Sequence, residues 1–435
     1  MSTSAAPALR IVMFVYGDVS HDSRVLREAG TLAAAGHAVT VIARPVEIGA
    51  TVGDREQRDG FEILRVPVPD GWRYPWRVLG APVRLALRLL DRLPLGRLVS
   101  GAAEETVGWL VVWRYAILGW AKAAAAAAPA ADFYHGHDLS GLPAALAARR
   151  RHGGTAIYDS HEIFLEAGAN VNRPAWIRRR FARLEQAWIR ETSALISVNE
   201  ALVQELGRRY EVPRAVAIHN CPPRRPPPSE PDTRLGEAIG CPPGTRIALY
   251  HGSFAPHRGL EQLAAALLEP GMEAVHAAYL GFGSRRGLLD DMVASGRFGG
   301  RLHVLGPVPP DDVVGWVSGS DVAVMALQPS TLNHVLSTPN KLFEALAAGV
   351  PVVASDFPGL RSIVVDDPDG PLGEVCDPTD PAAIAAAILR VIDRTPDEAA
   401  DLRRRCLTAA HERWNWESES AKLLALYDSL RSPTE

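Results

Sequence analysis

The stretch Ser337-Thr338-Pro339-Asn340-Lys341-Leu342-Phe343-Glu344-Ala345-Leu346-Ala347-Ala348-Gly349-Val350-Pro351-Val352-Val353-Ala354 organises the reading of this chain. It reads as a short helix opened by a capping hydroxyl, with Pro339 at the first helical position. Gly349 closes it, and Pro351 introduces a β-branched strand. Such a helix start leaves backbone N–H groups unpaired and carries the positive end of the macrodipole, which suits a phosphate. Lys341 falls in that first turn, where a cation opposes the dipole unless an anion lies between them. Glu344 follows three residues later on the same face. A nucleoside diphosphate would satisfy all three groups, with the amides and Lys341 on phosphate and Glu344 on ribose hydroxyls. An ordinary capped helix with a surface Lys–Glu pair accounts for these residues equally well.

Outward from that helix, apolar strand-like runs alternate with helical periodicity, the βαβ pattern of doubly wound parallel sheets. Strands are expected at Ile11–Tyr16, Val39–Ala43, Asp132–His135, Ala156–Asp159 and Ala194–Val198. A second series follows at Ile247–Tyr250, Ala277–Leu280, Leu302–Leu305, Val322–Ala326 and Val350–Ala354. The Pro-rich passage from Cys221 to Pro243 lies between the two series and places a domain boundary near Asn220. Two segments break the rhythm. Gly71 to Trp120, with Trp72, Trp76, Trp109, Trp113 and Trp120, reads as a helical insertion near 71–120 in the first domain. Residues 172–190 set Arg173, Arg178, Arg179, Arg180, Arg183 and Arg190 among Trp176, Ile177, Phe181, Leu184 and Trp188. That is a basic amphipathic helix, and two readings stay open: it lies on an anionic membrane surface, or it packs on the core with a solvated basic face.

At 435 residues the chain has room for two domains with their own cores. Its net charge of −4 carries no polyanion-binding signature, so nucleic acid is not an expected partner. Cys221, Cys241, Cys376 and Cys406 are scattered without metal-type spacing, which supports neither a zinc site nor a disulfide framework. The first ten residues lack an apolar signal core, and no uncharged apolar run reaches the ~20 residues of a membrane span. The expected location is cytoplasmic, peripheral at the inner face of the plasma membrane if the basic segment binds lipid.

Several motifs in order resemble the family 4 (group 1) retaining glycosyltransferases. They are His21-Asp22-Ser23-Arg24-Val25-Leu26-Arg27-Glu28-Ala29, Tyr134-His135-Gly136-His137-Asp138, Asp159-Ser160-His161-Glu162, Tyr250-His251-Gly252-Ser253 leading to Arg258-Gly259-Leu260, Tyr279-Leu280-Gly281-Phe282-Gly283-Ser284, and Pro339–Val353. The resemblance implies the α/β GT-B fold, two doubly wound (Rossmann-like) parallel-sheet domains facing across a cleft. Residues 1–220 would form the acceptor domain and 221–411 the nucleotide-sugar domain, with 412–435 a last helix crossing back to the first. It gives His137 the donor sugar and reaction centre, and Arg258 and Lys341 the diphosphate charge. Glu344 would hold the ribose, with Thr338, Pro339, Asn340, Gly252, Ser253, Gly281 and Gly283 around the donor. His135 reads as structural. Asp18 and His161 are candidates on the acceptor side, either one a base for the acceptor hydroxyl.

Two departures from the family pattern matter. Its usual carboxylate eight residues before Glu344 is Leu336 here, leaving the hexose contacts to Asn333, His334, Ser337 or loop amides. A second basic residue often follows the first Gly of the Gly-rich loop, where this chain has Ser253. The resemblance further implies front-face transfer with retention, the leaving diphosphate helping to deprotonate the acceptor. The expected partners are a nucleoside diphosphate sugar as co-substrate and a lipid-linked or cell-envelope glycan. No metal and no other cofactor is expected, since no Asp-x-Asp clamp stands out. The alternatives are a GT-B-like nucleotide-binding protein without transferase activity, which Leu336 and Ser253 favour, and a nicotinamide-dependent oxidoreductase argued only from Gly281–Ser284. The third glycine of a dinucleotide fingerprint is replaced there by Arg286.

Overall fold

The computed structural model describes residues 7–20, 22–45, 54–69, 105–212, 214–226 and 232–431. Contacts divide these into two compact units. The first comprises the described parts of Met1–Ser197, Val203–Ala217 and Leu423–Glu435, the second Val198–Leu202 and Ile218–Lys422. The expected insertion lies outside the described residues as far as 104; beyond it, residues 105–127 are helical, with a π-helical stretch at Val112–Ile117.

The first unit holds eight strands: β1 (Arg10–Val15), β2 (Ala38–Ala43), β3 (Asp54–Arg58), β4 (Phe61–Arg65), β5 (Phe133–His137), β6 (Thr155–Ser160), β7 (Ala194–Ser197) and β8 (Ala215–Ala217), in the order β3-β4-β2-β1-β5-β6-β7-β8. All pair in parallel except β3 with β4, a hairpin turned by Asp59 and Gly60, both at positive φ. The charged run Asp54-Arg55-Glu56-Gln57-Arg58 lies at the sheet edge, where a strand needs no apolar alternation. Central strands β1, β5 and β6 are buried almost throughout, as expected of strands covered on both faces, with polar residues gathered toward the ends of β5 and β6.

The second unit is parallel throughout: β9 (Arg246–Ser253), β10 (Val275–Phe282), β11 (Leu302–Leu305), β12 (Val322–Met325), β13 (Val352–Ser355) and β14 (Gly373–Cys376), ordered β11-β10-β9-β12-β13-β14. Both sheets are doubly wound, and in each the first strand is internal. The chain builds outward on one side and then on the other, so the order reverses between β1 and β5 and again between β9 and β12. Crevices for ligands form at the carboxyl ends of strands flanking such reversals.

The Arg-rich segment forms the helix Ala175–Ile189, and Ile177, Phe181 and Ile189 are buried. Phe181 sits among Trp109, Trp113 and Phe164, with Trp109 4.6 Å and Trp113 4.9 Å away between ring centroids. Its apolar side is therefore spent inside the unit. Arg178 is tied to the Leu165 and Asn170 carbonyls and to Glu166, leaving Trp176, Arg179, Arg180 and Arg183 on the surface.

Close helix–sheet approach in the first unit depends on Gly136 in β5, where a Cβ would stand 2.7 Å from Leu142 Cα on the helix Asp138–His152. Gly136→Ala is expected to cost ~1–3 kcal/mol by overpacking. Gly207→Ala, on the exposed side of the helix Glu200–Arg209 with open space around the new methyl group, should be neutral or stabilising by up to ~1 kcal/mol. Urea midpoints of the two variants against wild type check the contrast.

Candidate functional site

Each unit gathers polar groups at its own strand ends. In the first, Asp22 caps the helix Ser23–Ala34, accepting from the Val25 amide at 3.2 Å, and this sets Arg24 and Glu28 on the buried side one turn apart. Arg24 meets Asp159 of β6 through two bonds, Nε–Oδ2 at 2.8 Å and Nη2–Oδ1 at 2.9 Å. Its Nε also lies 3.2 Å from Glu28. The two carboxyls are sorted by surroundings. Burial raises Asp159, but Arg24, His161 and the His137 hydrogen bond outweigh it and hold the carboxyl well below the usual range. Burial and the Asp159 charge push Glu28 well above it, against Arg24 and His161. Glu28 accepts no hydrogen bond, and once protonated it can donate toward Asp159.

His137 is the last residue of β5, two positions beyond the strand end read from sequence. Its Nδ1 lies 3.3 Å from Asp159 Oδ2 and 3.3 Å from His161 Nε2, while Nε2 is buried without a partner. His135 stacks on it at 4.4 Å, with Nδ1 2.9 Å from the Tyr427 hydroxyl. Burial and His137 keep the His135 ring well below its ordinary pKa, hence neutral.

His161 follows β6 with Nε2 3.2 Å from Asp159 and Nδ1 3.4 Å from Asp138. Asp138 adopts φ +55°, a left-handed turn that an Asp tolerates, and its Oδ1 accepts from the His161 amide at 3.2 Å. Burial lowers the His161 pKa, but Asp138 and Asp159 more than reverse this and carry it up to about 10. His161 is thus held as an imidazolium. Asp18, the other acceptor-side candidate, is bound into a turn, accepting from the Ser20 amide and hydroxyl at 3.2 and 2.7 Å.

In the second unit the helix Asn340–Ala347 begins one residue later than its sequence suggests. Pro339, extended, is the N-cap, and no side chain caps the helix. The Thr338 hydroxyl instead accepts from Asn199 Nδ2 at 3.1 Å, and the same amide donates to the Leu336 carbonyl at 2.8 Å. Leu342, Phe343, Ala345 and Leu346 fix the buried side, so Lys341 and Glu344 share the other. Lys341 Nζ lies 3.5 Å above the Tyr250 ring and 3.5 Å from where a Gly252 Cβ would be. Burial, then the Arg258 charge, drive its pKa well below that of a free lysine, with Glu344 opposing in part. Glu344 Oε2 is 3.0 Å from His251 Nε2.

Arg258 follows β9 and, among the described residues, pairs with no carboxylate; burial, then the Arg258 charge, lowers the His334 pKa. Asn340 and Ser253 are exposed. Gly281 lies in β10 and Gly283 just beyond its end. Gly281 is paired with Gly252 at φ +155°, and a Cβ there would stand 2.0 Å from the Gly252 oxygen. The structure thus collects Lys341, Arg258, Glu344 and Gly252 in one unit and His137 and His161 in the other, while Asp18 serves its turn. Arg24, Glu28, Asp159 and His251 carry as much of the geometry, and sequence reading gave them no role. Their signal was an i,i+4 Arg–Glu pair and polar residues at ends of otherwise apolar strands.

Residues 22–221 match the family described as glycosyl transferase 4-like domain, and 245–394 that described as glycosyl transferases group 1. A D-inositol 3-phosphate glycosyltransferase of Xylanimonas cellulosilytica is 29% identical over 227 residues, 51% of this chain and 52% of that protein. The chain spans about half the length of the curated relatives it matches. The sucrose-phosphate synthase of Thermosynechococcus elongatus superposes with a TM-score of 0.69 at 17% identity, covering 98% of this chain and 99% of that one. Anabaena HepE in complex with UDP-glucose gives 0.66 at 15% identity, covering 97% and 100%.

Because His161 carries a folded-state pKa of about 10 against 6.5 unfolded, its ion pairs contribute stability that is complete below pH 6.5 and lost as pH rises through 10. Urea unfolding of the wild type between those limits should show a decline of up to about 1.4 kcal/mol per pH unit from this group. His161→Asn should be less stable at pH 6 and lack that decline; equal slopes in both proteins would refute the assignment.

Proposed function

The chain belongs to the group 1, family 4-like glycosyltransferases and has their GT-B fold, and on that premise we propose that it moves a sugar from a nucleoside diphosphate donor to a hydroxyl acceptor. The observation that carries this reading is the uncapped helix start at Pro339, with Lys341 and Arg258 beside it and little negative charge to balance them. A diphosphate restores the balance: the first-turn amides and Lys341 take its oxygens, Arg258 neutralises charge as the leaving group departs, and Glu344, oriented by His251, takes ribose hydroxyls. The fold likeness to HepE, whose structure contains UDP-glucose, agrees with such a donor. Thr338, Pro339, Asn340, Gly252, Ser253, Gly281 and Gly283 complete the donor side.

His137 is assigned the donor sugar, since it ends β5 and its Nε2 is buried without a partner; the Nε2 of His135, two residues deeper in the strand, is likewise unpartnered. Asp159 and His161 position it. Transfer is proposed to proceed at the front face with retention, without a metal ion in the step. Asp159 is committed to Arg24 and His161, and Glu28 is fully buried with its pKa pushed well above the usual carboxylate range, so neither offers a free carboxylate nucleophile. The departing diphosphate takes the acceptor proton, which relieves His161 of the base role.

For the acceptor we favour a lipid-linked or cell-envelope glycan met at the cytoplasmic face of a membrane. Trp176 with Arg179, Arg180 and Arg183 is the surface that would meet anionic lipid. Among the described residues no helix is long and apolar enough to cross a membrane. Leu336 and Ser253 favour a second reading, a nucleotide-binding protein without transfer.

Calorimetric titration with a panel of nucleoside diphosphates at pH 8, in two buffers of different ionisation heat, tests the donor site. One nucleotide should bind with proton uptake, because an anion beside Lys341 raises its depressed pKa and affinity rises as pH falls. Glu344→Ala should weaken binding and Lys341→Met should abolish the proton uptake. No binding by the wild type would defeat both readings, whereas binding with no turnover of any donor would leave only the second. Vesicles of anionic lipid should retain the wild type and lose it on Arg179→Ser/Arg180→Ser/Arg183→Ser; equal retention of both removes the membrane surface.

A further inference from the structure

Cys241, His276 and His303 come from a loop, from β10 and from β11, and nothing in the transfer chemistry uses them. Cys241 Sγ lies 3.2 Å from His276 Nδ1, and that same Nδ1 lies 2.9 Å from His303 Nε2. The two rings are nearly parallel, 9° apart. All three ligand-type atoms fall within 4.8 Å of one another. Parallel pairing sets Ala278 against His303, which places His276 and His303 on one face of the sheet edge.

Hydrogen bonding accounts for this convergence only in part: Cys241 Sγ reaches the Ile239 carbonyl at 3.9 Å and His303 pairs with His276, which leaves the close approach of Sγ to the same His276 nitrogen unexplained. An imidazole nitrogen offers either one lone pair or one N–H, so His276 Nδ1 cannot properly serve a thiol and a second imidazole at once. A cation can: it accepts a lone pair from each of the three. Tetrahedral zinc with Zn–S of about 2.3 Å and Zn–N of about 2.0–2.1 Å spaces its ligand atoms slightly wider than seen here, so small side-chain rotations admit it. We infer that Cys241, His276 and His303 form a site for a borderline-soft divalent cation of the zinc class, with water as fourth ligand. Binding releases the Cys241 thiol proton and leaves both imidazoles neutral. Arg301, the cation beside His276, is committed to the carbonyls of Met272, Val275 and Leu267 and does not compete for the thiolate.

All three side chains are half-buried, and a surface pocket of about 360 Å³ lined by His303, Ile239 and Ala238 opens beside them. An ion therefore has access. Its effect would be to fasten the loop that follows the Pro-rich connection to the edge strand β11, away from Lys341 and Glu344 in the chain and outside their chemistry. The inference stands apart from the donor-site reading.

The test titrates the full chain, freed of metal by chelator and dialysis, with Co²⁺ as spectroscopic probe and Zn²⁺ as competitor. One Co²⁺ per chain should produce a sulfur-to-cobalt charge-transfer band and tetrahedral d–d bands, which Zn²⁺ removes, and Zn²⁺ should raise the melting temperature. Cys241→Ser should lose the charge-transfer band and His303→Ala the tetrahedral spectrum. Both variants should melt like the metal-free wild type, which shows that they fold. Absence of a charge-transfer band in the wild type, or its persistence in Cys241→Ser, overturns the site.

Discussion

Parallel strands cannot be joined by a tight turn, so every neighbouring parallel pair in these sheets demands a crossover, here mostly helical. The constraint is strongest at β1 and β9. Each is laid down first and ends inside its sheet, so later strands must be added on both flanks. Crossovers toward opposite flanks leave the strand ends between them uncovered. His137 at the end of β5, Asp159 near the end of β6, and Gly252 and Ser253 at the end of β9 all stand at or beside such reversals. The chemistry of the chain is placed by this winding rule before any side chain is chosen.

What the two units do with their strand ends differs. The first balances its ionisable groups internally: Arg24 takes Asp159, His161 takes Asp159 and Asp138, and burial pushes the Glu28 carboxyl toward its protonated form. A charged cluster so arranged is rigid, since moving any member strands another without a partner. Among the described residues, Nε2 of His137 and Nε2 of His135 are ring atoms of this cluster left without a partner. The second unit is left unbalanced, with Lys341 pressed toward its neutral form by burial and by Arg258. A site that is electrostatically incomplete in this way gains most from an anionic ligand. Rigidity on one side and incompleteness on the other fit a division between holding a reacting group and capturing a phosphate.

The Cys241–His276–His303 group follows a third logic. It lies at the sheet edge, where β11 has one neighbour only and four residues to hold it. A cross-link there would act on a short edge strand of the unit.

Periodicity and punctuation in the sequence were enough to determine two doubly wound sheets, the Pro-rich passage between the two series of strands, and the helix carrying Lys341 and Glu344. These follow from local rules: apolar runs of strand length, Gly and Pro at helix ends, a 3.6-residue repeat. The polar edge strand β3 escaped because solvent imposes no alternation on it, although Asp59-Gly60 marked its turn. The cap on the Asn340 helix was misread because Thr338 had a distant partner in Asn199, which outcompeted the local geometry. Only the tertiary structure decided that Arg24 meets Asp159 across 135 residues, that His161 is a cation, and that His276 stands between Cys241 and His303. Charge state and ligand sets depend on what lies within a few ångströms, and a linear chain fixes that distance only after its strands have paired.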